Sequence, residues 1–365
     1  MKINLAILSR QYDLFKEEYE AAALRVLRSG WYILGPELDS FEKEFAKFVG
    51  TKYCVGLNSG LDALTVALRA MGIGCGDEVI VPANTYIATV LGITANEATP
   101  VFVEPDEYYN LDGEKIENSI TEKTKAIMVV HLYGQSANMG VIKKIADRYG
   151  IAIVEDCAQS HGAQYADIMT GAWGRIGCFS FYPTKNMGAF GDAGAIVTDD
   201  KELAYRIKMF RNYGSRVKYH NEILGINSRL DEIQAALLRV KLKYLKELNK
   251  ERQNIADEYL RKIKNNNLIL PKIRNGADHV YHQFVIRTEN RDRFFAYLKD
   301  NGIEVAIHYP IPPHLAECYK PMGYKVGDFP ITEKFANEVL SMPIYNGMSK
   351  KEIEYVIQVC NMYQR

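Results

Sequence analysis

Within residues 154–198 stand a lysine, a carboxylate and a hydroxyl in a setting that suits carbonyl chemistry. The lysine, Lys185, lies in the string S-F-Y-P-T-K-N-M-G-A-F-G-D-A-G. It is flanked by Phe179, Phe181, Met187 and Phe190, with no acidic neighbour before Asp192. Apolar surroundings disfavour the charged form of an amine, lower its pKa and make it a nucleophile toward carbonyls. The best-known protein use of such a lysine is a Schiff base to pyridoxal phosphate (PLP), with a carboxylate paired to the pyridinium nitrogen. Asp156, just past the apolar run 151–154, is placed for that second role, because ligands of open α/β sheets sit outside the carboxyl ends of strands. Taken singly, a loop lysine is most often solvated and an aspartate after a strand most often shapes a turn. Together with Ser180, the pair points modestly to a cofactor site.

The elements that must position these groups are legible from periodicity. Residues 12–29 and 38–49 have helical spacing, the second with Phe41, Phe45 and Phe48 on one face. Between them G-W-Y-I-L-G-P is too apolar for an ordinary exposed loop and suits a site lining or a subunit contact. Strands are expected at 53–57, 79–81, 101–103, 125–132 and 151–154, alternating with helices at 61–71, from Tyr86 to Ala95 and at 139–149. That alternation argues a parallel sheet with crossover helices. The turn N-S-G-L from strand to helix presents free backbone N–H groups and a positive dipole end, which suit a phosphate, although Asn58 or Ser59 could be a plain N-cap.

Further on, 201–210 reads as a helix, followed by a loop carrying Arg211, Arg216, Lys218 and His220. These cations suit either solvent or a nucleotide diphosphate. A long helix starts at Leu230; strands at 282–287 and 305–308 and helices at 291–301 and 331–340 follow. The expected division is a large α/β domain over 1–235 and a small α+β domain over 236–365. Prolines 310, 312 and 313 stiffen H-Y-P-I-P-P-H-L and would hold His308 and Tyr309 still.

Composition narrows the function classes. Lys+Arg and Asp+Glu are both 45 in 365 residues, which gives no argument for nucleic-acid or polybasic membrane binding. The six cysteines show no C-x-x-C pair, so no metal site is expected. The first residues lack the pattern of a signal peptide and no stretch is long and apolar enough to span a membrane, so the expectation is a cytoplasmic protein. No G-x-G-x-x-G follows the first strand, and Y-P-T-K fails the Tyr-x-x-x-Lys spacing, which together disfavour an oxidoreductase.

The block E-D-C-A-Q-S-H-G, with S-F-Y-P-T-K-N-M-G-A-F-G-D-A-G, S-G-W-Y-I-L-G-P-E-L and M-P-I-Y-N-G-M, resembles the DegT/StrS-type PLP-dependent nucleotide-sugar aminotransferases over essentially the whole chain. The likeness is strongest to the QdtB/FdtB-like enzymes, which aminate dTDP-linked 3-keto-6-deoxyhexoses. It implies the aspartate aminotransferase-like fold of type I, a homodimer with sites at the subunit interface, and glutamate as amino donor. It also implies deoxyamino sugar synthesis for lipopolysaccharide or another glycan.

For the site, the resemblance implies that Lys185 carries PLP, Asp156 meets the ring nitrogen, Tyr86 stacks on the ring and Gln159 meets the 3-hydroxyl. Ser59, Gly60, Leu61 and Ser180 would take the phosphate, with Asn227 reaching the phosphate of the partner. His161, Tyr182, Lys218, His308 and Tyr309 would face the substrate. The rival readings are a 4-keto sugar aminotransferase, a PLP-dependent 3-dehydratase, disfavoured because those enzymes carry His where Lys185 stands, and a sensor that binds PLP or a nucleotide sugar.

Overall fold

Alternating apolar residues of the central strands sort into two cores, one on each face of a sheet. In the computed structural model, which describes residues 1–364, seven strands form this sheet: β1 (Tyr53–Leu57), β2 (Glu78–Pro82), β3 (Thr99–Val103), β4 (Thr124–Val130), β5 (Ala152–Asp156), β6 (Ile176–Ser180) and β7 (Gly194–Thr198). Their spatial order is β1-β7-β6-β5-β4-β2-β3, with β7 antiparallel to both neighbours and every other pair parallel.

Val55, Val81, Met128, Val154 and Ile176 pack on one face against the helices Gly60–Ala70, Ile87–Thr94 and Lys201–Phe210. Their odd-even partners Cys54, Ile80, Ile127, Ile153 and Phe179 pack on the other, against Pro36–Val49 and Met139–Tyr149. A period of two on strands covered on both faces leaves little room for polar residues. Lys125 alone of the seven residues of β4 is exposed.

A further core gathers Ile3, Ile255, Tyr259, Phe284, Phe294, Leu340 and Val356 around a two-stranded antiparallel ribbon of β8 (Phe284–Arg287) and β9 (Val339–Met342). The expected border at 235/236 falls inside the helix Glu232–Lys243. That helix packs Ala235 and Leu238 against Phe41 and Phe45, and Ala236 and Val240 against Tyr19 and Val26.

Four local expectations need correction. The helix over 12–29 is two helices, Leu8–Leu14 and Lys16–Ser29, because Phe15 leaves helical backbone (φ −134°) and stacks on Tyr244, ring centroids 4.1 Å apart. The helix from Leu230 likewise breaks at Tyr244 into Glu232–Lys243 and Leu245–Lys262. Residues 305–308 make only one bridge, Ala306 to Ser341, since His308 turns its carbonyl to the Tyr133 hydroxyl and its ring to the Ser341 hydroxyl. The helix over 331–340 ends at Glu338, after which β9 pairs with β8.

Glu232 ties the start of its own helix to the start of the helix Pro36–Val49. Its carboxylate accepts the Gly35, Glu37 and Leu38 amides at 2.8, 2.9 and 3.0 Å, so it satisfies the orphan donors that open the helix Pro36–Val49. Glu232→Ala leaves two buried donors and one part-buried donor without an acceptor and should lower the unfolding free energy by about 3 kcal/mol. Urea titration checks this; an unchanged midpoint would show that the helix opens without that carboxylate.

Candidate active site

The parallel strands deliver their carboxyl ends to one edge of the sheet. Asp156 is the last residue of β5 and Ser180 the last of β6, while β1 runs through the turn at Asn58 into the helix Gly60–Ala70. A cleft of about 600 Å³ opens there, lined by Ser59, Gly60, Leu61, Tyr86, Asp156, Gln159, Ser180, Tyr182, Lys185, His308 and Tyr309. Eleven sequence-predicted residues are thus brought together. Three are not. Lys218 and Asn227 are exposed on or beside the hairpin of Ser215–Val217 and His220–Asn221, outside the cleft of their own chain. His161 is fully buried between Phe179 and Phe181, ring centroids 5.5 Å away, and burial pushes its pKa down to about 3.

The lysine is held in a loop tightened by its own backbone: Lys185 N–H donates to Tyr182 and Gly188 N–H to Lys185. Gly188 lies so close to Pro183 that a Cβ there would fall 2.1 Å from its carbonyl oxygen. Burial lowers the Lys185 pKa to about 8, with Asp156 opposing the shift. Burial raises the pKa of Asp156, while the Ala158 amide, the Thr89 hydroxyl and Lys185 favour its charged form. Thr89 donates to its Oδ2 at 2.8 Å and Ala158 N–H to its Oδ1 at 3.1 Å. Gln159 is locked between the Tyr133 amide, which it accepts at 2.6 Å, and the Tyr309 hydroxyl, to which it donates at 3.0 Å. His308, lowered by burial to about 4, is neutral and shares a hydrogen bond with Ser341 at 2.8 Å.

These residues fit PLP. At the turn after β1, Ser59 accepts the Asp62 amide, and the Gly60 and Leu61 amides meet no protein acceptor among the described residues. A Cβ on Gly60 would lie 2.5 Å from that of Ser180, so only glycine lets this helix start close on the Ser180 hydroxyl. Such a helix start can cradle a phosphate. Asp156 supplies a fixed carboxylate for a ring nitrogen, and Tyr86, half exposed on the wall, tilts against Tyr309 at 4.9 Å.

Sequence reasoning missed Thr85 and Thr89, which form a buried hydroxyl chain to Asp156, and Tyr133, which fixes Gln159. A buried threonine in the otherwise apolar run I-A-T-V-L-G-I was the available signal for Thr89.

A profile described as the DegT/DnrJ/EryC1/StrS aminotransferase family matches residues 13–361. The dTDP-3-amino-3,6-dideoxy-alpha-D-galactopyranose transaminase of Aneurinibacillus thermoaerophilus is 53% identical over 97% of this chain and 98% of its own. The dTDP-3-amino-3,4,6-trideoxy-alpha-D-glucose transaminase of Streptomyces venezuelae is 50% identical over 92% of this chain and 89% of its own. Among solved structures, S. venezuelae DesV in complex with a ketimine intermediate superimposes with a TM-score of 0.97 at 47% identity, covering 99% of this chain and 98% of that one.

Two outcomes follow from this geometry. In the cofactor-free protein, acylation of Lys185 followed by mass spectrometry should titrate with a midpoint near its pKa of about 8, against 10.5 for an ordinary lysine; a midpoint at the ordinary value would mean the amine is solvated. Thr89→Val removes one hydrogen bond to the Asp156 carboxylate and should slow turnover about tenfold with little change in thermal stability. Turnover at the parental rate would show that Asp156 holds its place without it.

Proposed function

Because the chain belongs to the DegT/DnrJ/EryC1/StrS aminotransferase family, we propose that it transfers an amino group from glutamate to the C3 ketone of a dTDP-linked 3-keto-6-deoxyhexose, giving the 3-amino-3,6-dideoxy sugar nucleotide. It is an aminotransferase of fold type I and its cofactor is PLP. The observation that carries the reading is the lowered amine of Lys185 facing the same cleft as the hydrogen-bonded carboxylate of Asp156. The substrate class is supported by two relatives whose names specify 3-amino dTDP sugars; a 4-keto substrate is not favoured.

When bound, PLP supplies an electrophilic carbonyl for amines and a ring that accepts the electron pair left when a proton departs from the adjacent carbon. Lys185 would be the nucleophile toward that carbonyl, and its Nζ the group that takes and returns the proton, for which a pKa of about 8 is well matched. Asp156, kept as a carboxylate by Thr89 and Ala158, holds a proton on the ring nitrogen. Gly60, Leu61, Ser59 and Ser180 bind the phosphate, Tyr86 packs on the ring and Gln159 orients its 3-oxygen. Tyr182, His308 and Tyr309 meet the sugar, and neutral His308 can donate to a hydroxyl without adding charge.

A homodimer completes the proposal. Trp31, Tyr32 and Ile33 are 57%, 51% and 38% exposed in one segment, a surface that a second copy would cover. Asn227 and Lys218, outside their own cleft, would then serve the partner's phosphate and nucleotide, and buried His161 would support the Lys185 loop rather than touch substrate. We also propose a large and a small unit, a cytoplasmic location and a role in glycan synthesis. Among the described residues no helix is long and apolar enough to cross a membrane.

Lys185→Ala should fold normally and lose turnover, and Asp156→Asn should retain PLP but fall about a hundredfold or more in rate; near-parental turnover by either would sink its assignment. Purified enzyme with PLP and glutamate should aminate a dTDP-3-keto-6-deoxyhexose at C3 in preference to the 4-keto isomer, read by mass spectrometry and NMR. Amine at C4 would discard the regiochemistry. Bound PLP whose spectrum never responds to any donor would favour a sensor.

A further inference from the structure

A second cavity, of about 130 Å³, adjoins the cleft and shares with it Thr184, Lys185, His282, Gln283 and His308. Its remaining polar wall is Gln11, Arg252, Ser341, Tyr345 and Asn346, and no aspartate or glutamate lines it. The main cleft, by contrast, holds Asp156 and Asp192.

Arg252 is the unusual member. It is 6% exposed, and its Nε and Nη2 donate to the Tyr281 and His282 carbonyls, both at 2.8 Å. Nη1 has no protein acceptor among the described residues. The neighbouring acid, Glu251, is engaged elsewhere, accepting from the Asn346 side chain at 2.7 Å and the Gly347 amide at 2.8 Å. A buried guanidinium whose hydrogen bonds go to two neutral acceptors is costly to keep charged: desolvation lowers its pKa to about 10, and the charge of Glu251, which makes no ion pair with it, offsets only part of that. An anion arriving in the cavity would remove that cost through charge-assisted hydrogen bonds.

The size of the space restricts the anion. It is close to a cavity of roughly 150 Å³ that takes a benzene-sized guest, enough for a carboxylate on a short carbon chain and too small for a nucleoside diphosphate. Lys185 is part of its common wall with the cleft. We propose that this cavity docks a carboxylate of the amino donor, with Arg252 as its counter-ion and Gln11 and Asn346 on its rim. The inference rests on the transaminase reading above and names the subsite that reading leaves open.

The test separates the two half-reactions of the holoenzyme in a rapid-mixing spectrometer, glutamate alone and then sugar nucleotide alone, both followed by cofactor absorbance. Two variants are used, because Arg252 also holds two backbone carbonyls. Arg252→Lys alters the guanidinium, and Gln11→Glu places a negative charge on the rim while keeping an oxygen for Lys241, which donates to Gln11 at 2.7 Å. Each should raise the half-saturating glutamate concentration about tenfold or more and leave the sugar-nucleotide half-reaction within about twofold. Glutarate, a dicarboxylate without an amine, should raise the thermal midpoint of the parent holoenzyme and not that of Gln11→Glu.

Equal weakening of both half-reactions, or weakening of the sugar-nucleotide half alone, overturns the cavity assignment and leaves the transaminase reading intact. A parent enzyme that binds PLP but never reacts with glutamate or any other amino acid overturns the transaminase reading and this one with it.

Discussion

Desolvation drives the Lys185 amine and the Asp156 carboxyl toward their neutral forms, and each opposes that drift in the other. Burial alone would leave Asp156 protonated and Lys185 with a still lower pKa. Their common burial at the carboxyl edge of the sheet sets the demands on everything around them. Asp156 must end β5, where the Thr89 hydroxyl and the Ala158 amide can reach it. The Lys185 loop must follow β6, whose register beside β5 pairs Asp156 with Cys178, two residues before Ser180. The antiparallel insertion of β7 then returns the chain from the loop to the sheet beside β1, closing Ser180 and Gly194 on the phosphate turn.

The lysine loop is braced from behind by a polar row on the two consecutive helices that leave the sheet. Lys241 donates to the Gly188 carbonyl at 3.0 Å. One helix further, the Asn249 side chain accepts from Asn186 and donates to the His161 carbonyl, both at 2.8 Å. Asn186 also reaches the Val280 carbonyl at 2.8 Å. These buried bonds join the residue after Lys185, the loop after Asp156 and the segment that carries His282. Buried polar networks of this kind rigidify the segments they join, although Asn186 Oδ1 itself meets no protein donor among the described residues. The position of a reactive amine therefore depends on residues more than fifty positions away in sequence.

That distance explains what the sequence could and could not reveal. The strands covered on both faces announced themselves, because a run such as K-A-I-M-V-V has no other soluble home, and the chemistry of Lys185 and Asp156 followed from local surroundings. β6 and β7 escaped because their glycine-rich runs, G-C-F-S-F and G-A-I-V-T, are read as loop around a site when their partners are unknown. The break at Tyr244 escaped because it is caused by the distant ring of Phe15 and not by a glycine or proline. Lys241, Asn249 and Arg252 were legible only as the polar members of long helices. Nothing in their spacing says that they face inward; only the fold that covers them does.

Burying Lys241 and Arg252 without an ion pair to either needs its own explanation. Desolvation lowers the first to about 7 and the second to about 10, and each is stabilised mainly by carbonyl oxygens. With Lys185 they make three amine or guanidinium groups around one compact region, where Asp156 is the only buried acid acting on the lysine. Replacing them by apolar residues would be the cheaper way to build a core. Their retention would make sense in a region built for the anions proposed above: a phosphate at the helix start, a carboxylate beside the lysine and a diphosphate at the mouth. Carbonyl dipoles keep such cations in place without neutralising them, so the field stays available to the ligand. A carboxylate partner would have stabilised the empty protein more and bound the guest less. Cations held without an ion pair would thus be the structural counterpart of the proposed site, which takes negative charge from two different substrates in turn.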